Sequence, residues 1–153
     1  LWYRAPELLM GSTDYTGKVD VWAAGCVLFE MLHNGHDGLA LFSGNDEYAV
    51  LEAIIKRFGP MPSLMRRFPW FQMASMPVVE SVDDQLDRFP EITDQNAKHL
   101  LHRLLAIDPE KRLSPEEALR HPFFHDTHSI SFMPDLSQDD SQHEFEVKHS
   151  SVR

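Results

Sequence analysis

Nine histidines and a single cysteine are the residues here whose types could do chemistry without help from a cofactor. His121, His125 and His128 are separated by three and two residues, with Asp126 between them, and His99 and His102 lie one helical turn apart. Zinc takes such ligands, but no cysteine pair or firmly placed carboxylate completes a tetrahedral set, so no metal site is expected. Cys26 sits inside an apolar run with no basic neighbour to lower its pKa, which makes it a small core residue rather than a nucleophile. Gly44-Asn45-Asp46-Glu47 is the nearest thing to a phosphate-cradling turn, yet it carries no base and reads as a helix start. Ser137 to Ser141, with Asp139 and Asp140, could accept phosphate, but the stretch reads more simply as a solvated acidic tail.

Composition narrows the partners. The 153 residues are 42% apolar and 25% charged, ordinary for a globular chain with one core. Fourteen Lys and Arg stand against 24 Asp and Glu, a net charge of −10. That balance argues against nucleic acid and against an anionic membrane surface as partners. One cysteine excludes a disulfide framework and fits a reducing compartment. The chain opens on Leu1 rather than methionine and shows no secretory signal, so truncation of a longer protein is expected.

The elements that would position chemical groups are helical. Val19 to Leu32 is apolar except for Asp20 and Glu30, too short to span a bilayer, and apolar on all sides, so it should be a central helix buried all round. Asp20 falls in its first turn, where the helix dipole favours a carboxylate. Leu51, Ile54, Ile55 and Phe58 repeat at helical spacing up to the Gly59-Pro60 stop. Ala97, Leu100, Leu101, Leu104 and Leu105 do the same, with Thr93 or Asp94 as cap. Ser114-Pro115-Glu116-Glu117 combines an N-cap serine, a first-turn proline and a third-position glutamate, and starts a short helix that closes before Pro122. No strand alternation and no internal repeat is visible, so the chain reads as all-α. Five prolines between 60 and 90 forbid one long helix there, while Phe68, Trp70, Phe71 and Phe89 demand burial. From His125 to Arg153 six acids, two bases and many serines predict a flexible tail.

Motifs in order carry the identification of a family. Leu1-Trp2-Tyr3-Arg4-Ala5-Pro6-Glu7-Leu8-Leu9 contains A-P-E, and Asp20-Val21-Trp22-Ala23-Ala24-Gly25-Cys26-Val27 follows. Then come Leu41-Phe42-Ser43-Gly44, Asp108-Pro109-Glu110-Lys111-Arg112 and Ala118-Leu119-Arg120-His121-Pro122-Phe123-Phe124. Together they resemble a protein kinase from the end of its activation segment to its last helix. W-Y-R-A-P-E and the G-C pair narrow the resemblance to the cyclin-dependent and MAP kinase group. It implies the lower part of the helical C-lobe of a bilobal fold over residues 1–124, an insert at about 60–92, and a tail at 125–153. The intact protein would be a serine/threonine kinase using ATP and magnesium, in many relatives preferring proline after the target, and would reside in the cytoplasm or nucleus.

The resemblance also implies roles. Trp2, Tyr3, Arg4 and Ala5 would form a substrate-facing loop, the lesser alternative for Arg4 being a mere pairing with a surface carboxylate. Glu7 and Arg112 would form an ion pair, a task suited to arginine's planar fork. Asp20 would accept backbone amides of the catalytic loop, and His121 would hold a structural place. Val27 and Met31 would support the two hydrophobic spines, a role that requires the same burial as plain core packing. The insert, with its methionines and aromatics, would be a docking surface for a regulatory protein or a self-packed loop. No catalytic residue of a kinase falls in this sequence: the phosphate loop, the ATP-binding lysine, H-R-D and D-F-G are all absent. The chain alone is therefore expected to be inactive, to bind no ATP or magnesium, and to expose apolar surface on its central helix. The alternative is a non-catalytic, kinase-derived helical interaction module.

Overall fold

The computed structural model describes residues 1–33, 40–71, 78–79 and 87–125. The tail beyond 125, with His128 and Ser137 to Ser141, and much of the 60–92 insert, with Met73 and Met76, lie outside the described residues. Among the described residues six α-helices run in chain order: α1 (Pro6–Leu9), α2 (Lys18–Leu32), α3 (Glu47–Phe58), α4 (Gln95–Leu104), α5 (Pro115–Leu119) and α6 (Pro122–His125). A 3₁₀ segment, Ser63–Arg67, follows α3. Among the described residues the only strands are two-residue pieces, β1 (Met61–Pro62) and β2 (Val78–Val79), paired in parallel. The chain is thus helical as expected, with this short ladder pinning the insert beside the end of α3.

Helix ends follow local chemistry. Asp46 caps α3 by accepting from the Ala49 amide at 2.8 Å. Of the two candidate caps for α4 it is Asp94 that serves, accepting from Ala97 N–H at 2.6 Å. Ser114 and Glu117 complete a reciprocal capping box at α5, each satisfying the other's orphan amide. Gly59 ends α3 with φ of 83°, a left-handed conformation that glycine adopts without strain.

The core is aromatic. Trp22 of α2 stacks on Phe42 at 5.6 Å, Phe58 packs beside both, and Phe89 bridges Phe58 to Phe29. Leu101 and Leu105 from α4 and Met61 and Met65 from the insert fill the rest of this cluster. At Gly25 α2 lies close against the end of α4. A Cβ there would fall 2.8 Å from a Leu105 methyl. Phe68, Phe71 and Phe89 are buried as their types demand, but Trp70 is half exposed, with its ring lying over Gly11.

The central helix departs from the all-round burial read from its apolarity and shows the exposed apolar surface expected of this chain alone. Val21, Trp22, Gly25, Cys26 and Phe29 face the core, but Asp20, Ala24, Val27 and Met31 form an exposed stripe at helical spacing. Val27 is 46% exposed and Met31 73%, so the burial expected of both is not met within this chain. All-round apolarity read as all-round burial because sequence shows only that a face is apolar, not what covers it.

Candidate functional site

The segment Leu1–Met10 is built in two halves with opposite character. Ala5, Pro6, Glu7, Leu9 and Met10 are buried, while Leu1, Trp2, Tyr3 and Arg4 are exposed. The turn Leu1–Arg4 is closed by the Arg4 amide donating to the Leu1 carbonyl at 3.0 Å. Proline at the first helical position starts α1 without an orphan N–H. Of the four residues proposed to face a substrate, Ala5 turns its side chain into the core instead, at 1% exposure.

Three side chains fasten the exposed half. The Trp2 indole Nε1 donates to the Gly44 carbonyl at 2.7 Å. The Tyr3 hydroxyl donates to Glu30 Oε2 at 3.0 Å, and that bond is the main cause raising the Tyr3 pKa. Arg4 Nη1 meets Glu47 Oε1 at 3.4 Å, so Arg4 does pair with a surface carboxylate. Glu30 also accepts from the Leu41 amide, linking the loop before α3 to α2. Sequence reasoning singled out none of Glu30, Gly44 and Glu47 as a functional residue. The available signal was Glu30, an acid at the end of an otherwise apolar helix.

The buried half is anchored by an ion pair. Arg112 Nη1 and Nη2 donate to Glu7 Oε1 and Oε2 at 2.8 and 3.0 Å across 105 residues of sequence. Its remaining N–H groups reach the carbonyls of Ala106, Lys18 and Ile107, and the guanidinium lies 5.2 Å from the Trp22 ring centre. Arg112 therefore ties α1, the start of α2 and the turn after α4 together. Asp108 shapes that turn by accepting from the Glu110 amide, and its carbonyl accepts from the Lys111 and Arg112 amides.

Asp20 stands exposed in the first turn of α2, and among the described residues no hydrogen bond reaches its carboxylate. Cys26 is buried, and burial pushes its thiol up to about 12, which leaves it unreactive. His99 and His121 face each other at 2.7 Å between Nδ1 and Nε2. Because His121 Nδ1 accepts from the Phe123 amide, His121 donates from Nε2 and His99 accepts. Desolvation, then the neighbouring His99 and Arg103, hold the His121 pKa below its usual value. His125 is not part of this pair. Among the described residues no three of His, Cys, Asp and Glu gather as a metal-holding group, so no residue is assigned to magnesium. No described helix is long and apolar enough to cross a membrane.

The family model described as the protein kinase domain matches residues 1–124, and the chain belongs to that family. It is 36% identical over 129 residues to cyclin-dependent kinase 11 of Dictyostelium discoideum, covering 81% of this chain and 34% of that protein. It is 32% identical to mitogen-activated protein kinase 10 of Arabidopsis thaliana, over 90% of this chain and 34% of the relative. Mitogen-activated protein kinase 15 of Mus musculus is 41% identical over 80% of this chain and 22% of its own length. The chain is thus cyclin-dependent- and MAP-kinase-like, and spans about a third or less of these relatives.

Proposed function

We propose that the intact protein transfers the γ-phosphate of ATP to serine or threonine in protein substrates, and that this chain supplies the surface on which the substrate rests. The observation that supports this best is the exposed turn Leu1–Arg4, solvent-facing yet fastened to α2 and α3 by three side chains. Phosphoryl transfer depends almost wholly on positioning and electrostatics, so a stiff, accessible shelf is what a substrate chain requires. In this reading residues 1–124 are the kinase portion, 60–92 an insert offering a docking surface to a regulatory protein, and 125–153 an acidic tail. Glu7 and Arg112 hold the shelf. Asp20 accepts amides of the catalytic loop, and Val27 and Met31 pack under the remainder of the lobe. ATP and magnesium bind residues outside this sequence, and the chain by itself is inactive. The working compartment is the cytoplasm or nucleus.

The test compares the intact protein with this chain in an ATP-dependent assay on peptides carrying Ser-Pro or Thr-Pro. Activity in the intact protein that is absent from the chain, with a raised peptide KM on Arg4→Ala, is the expected result. An intact protein that transfers no phosphate to any serine or threonine peptide would leave a non-catalytic interaction module in its place.

A further inference from the structure

We infer that Trp2 is a positioning residue, setting the place of the substrate-facing turn by fastening it to the first turn of α3 through Gly44. The inference rests on the proposed kinase reading and adds to it which contact does the positioning.

Packing holds the turn only in part, because Leu1, Trp2 and Tyr3 are 43%, 43% and 39% exposed and Arg4 is exposed as well. Side-chain bonds supply the rest, and the three present differ in kind. Arg4 and Glu47 are 47% and 43% exposed at 3.4 Å, an ion pair of the sort that contributes little in water. Tyr3 bonds to the Glu30 side chain, whose other oxygen accepts from the Leu41 amide. Trp2 alone bonds to backbone, and at 2.7 Å its bond is the shortest of the three. Indole has a single donor and a large rigid ring, so one well-placed carbonyl fixes it.

The carbonyl is well placed because Gly44 is. A Cβ at position 44 would fall 2.7 Å from the Val50 amide nitrogen and 2.8 Å from Ala49 atoms, so only glycine lets the chain lie against the start of α3. That start is itself stiff: Asp46 caps it, and Val50, Leu51, Ile54 and Phe58 are buried below. Through one hydrogen bond the exposed turn takes its position from a helix rooted in the aromatic core. Any partner that tilts the beginning of α3 would therefore alter substrate binding without touching the substrate.

The experiment uses the intact protein carrying Trp2→Phe, which keeps an aromatic ring, though a smaller one, and removes the donor. The expected result is a peptide KM raised about three- to tenfold, with kcat and the KM for ATP moving less than twofold and melting unchanged. Gly44→Ala, which forces the start of α3 away, should raise peptide KM in the same direction, and the double variant should be no worse than Gly44→Ala alone. An unchanged peptide KM in Trp2→Phe overturns the inference, as do equal changes in kcat and both KM values, which indicate general damage. Amide exchange at Tyr3, Arg4 and Ala5 separates this from failure of the kinase reading. If the wild-type protein phosphorylates nothing, faster exchange in Trp2→Phe still supports the tether, and unchanged exchange overturns it.

Discussion

At Glu7 and Arg112 both carboxylate oxygens and every guanidinium nitrogen find partners inside the chain. Along Asp20, Ala24, Val27 and Met31 the side chains of a neighbouring helix stand in solvent. Both regions carry kinase motif residues, and both hold groups that are costly in the wrong surroundings: a charge pair out of water, and apolar side chains in it. The difference is where the partners lie. The pair closes on residues within the chain, so it stabilises the segment by itself. The α2 stripe adds less to the segment's own stability and would gain most when something covers it.

Breaking the pair should have the largest effect. Glu7→Ala strands a buried guanidinium and should cost about 3–5 kcal/mol in urea unfolding. The double change Glu7→Ala with Arg112→Met should recover much of that loss. If Glu7→Ala unfolds at the wild-type midpoint, the pair is not the anchor described here. Next comes the α2–α4 contact. Gly25→Ala drives a methyl into Leu105 and should cost about 1–3 kcal/mol, seen as a lower melting temperature.

Acid should act on the buried side too. The His121 pKa is lowered by burial, and so is that of His102, helped by Arg88. As pH falls below about 6.5 the unfolded chain takes up these protons first, so stability is present above that value and declines below it. Melting followed from pH 7.5 to 5.5 should show the decline, and His121→Asn should flatten it. A wild-type melt that rises over that range would reverse the sign assigned here.

Met31→Ser should have the smallest effect on this chain, within about 0.5 kcal/mol, because the side chain is exposed. In the intact protein the same change should cost more than 1 kcal/mol if the stripe is covered, as a buried methionine would. Equal, negligible effects in both would sharpen the comparison differently, marking the stripe as open surface throughout.

Local devices were legible from the residues alone. The Ser114–Glu117 box, the cap at Asp94 or Thr93, the stop at Gly59 and the periodicity of α3 and α4 each involve groups within about one helical turn, where covalent connection limits the choices. The order of five motifs likewise pointed to the family before any contact was known. Pairings over long separations were not legible by the same means. That Trp2 meets Gly44, Tyr3 meets Glu30 and His99 meets His121 depends on the paths of the intervening loops, which no short-range pattern records. The outward face of α2 is the plainest case. Its amino acids determined that the helix forms and that all its sides tolerate burial. Only the tertiary structure decided which side is buried, since a uniformly apolar helix has no preferred face until its neighbours dock.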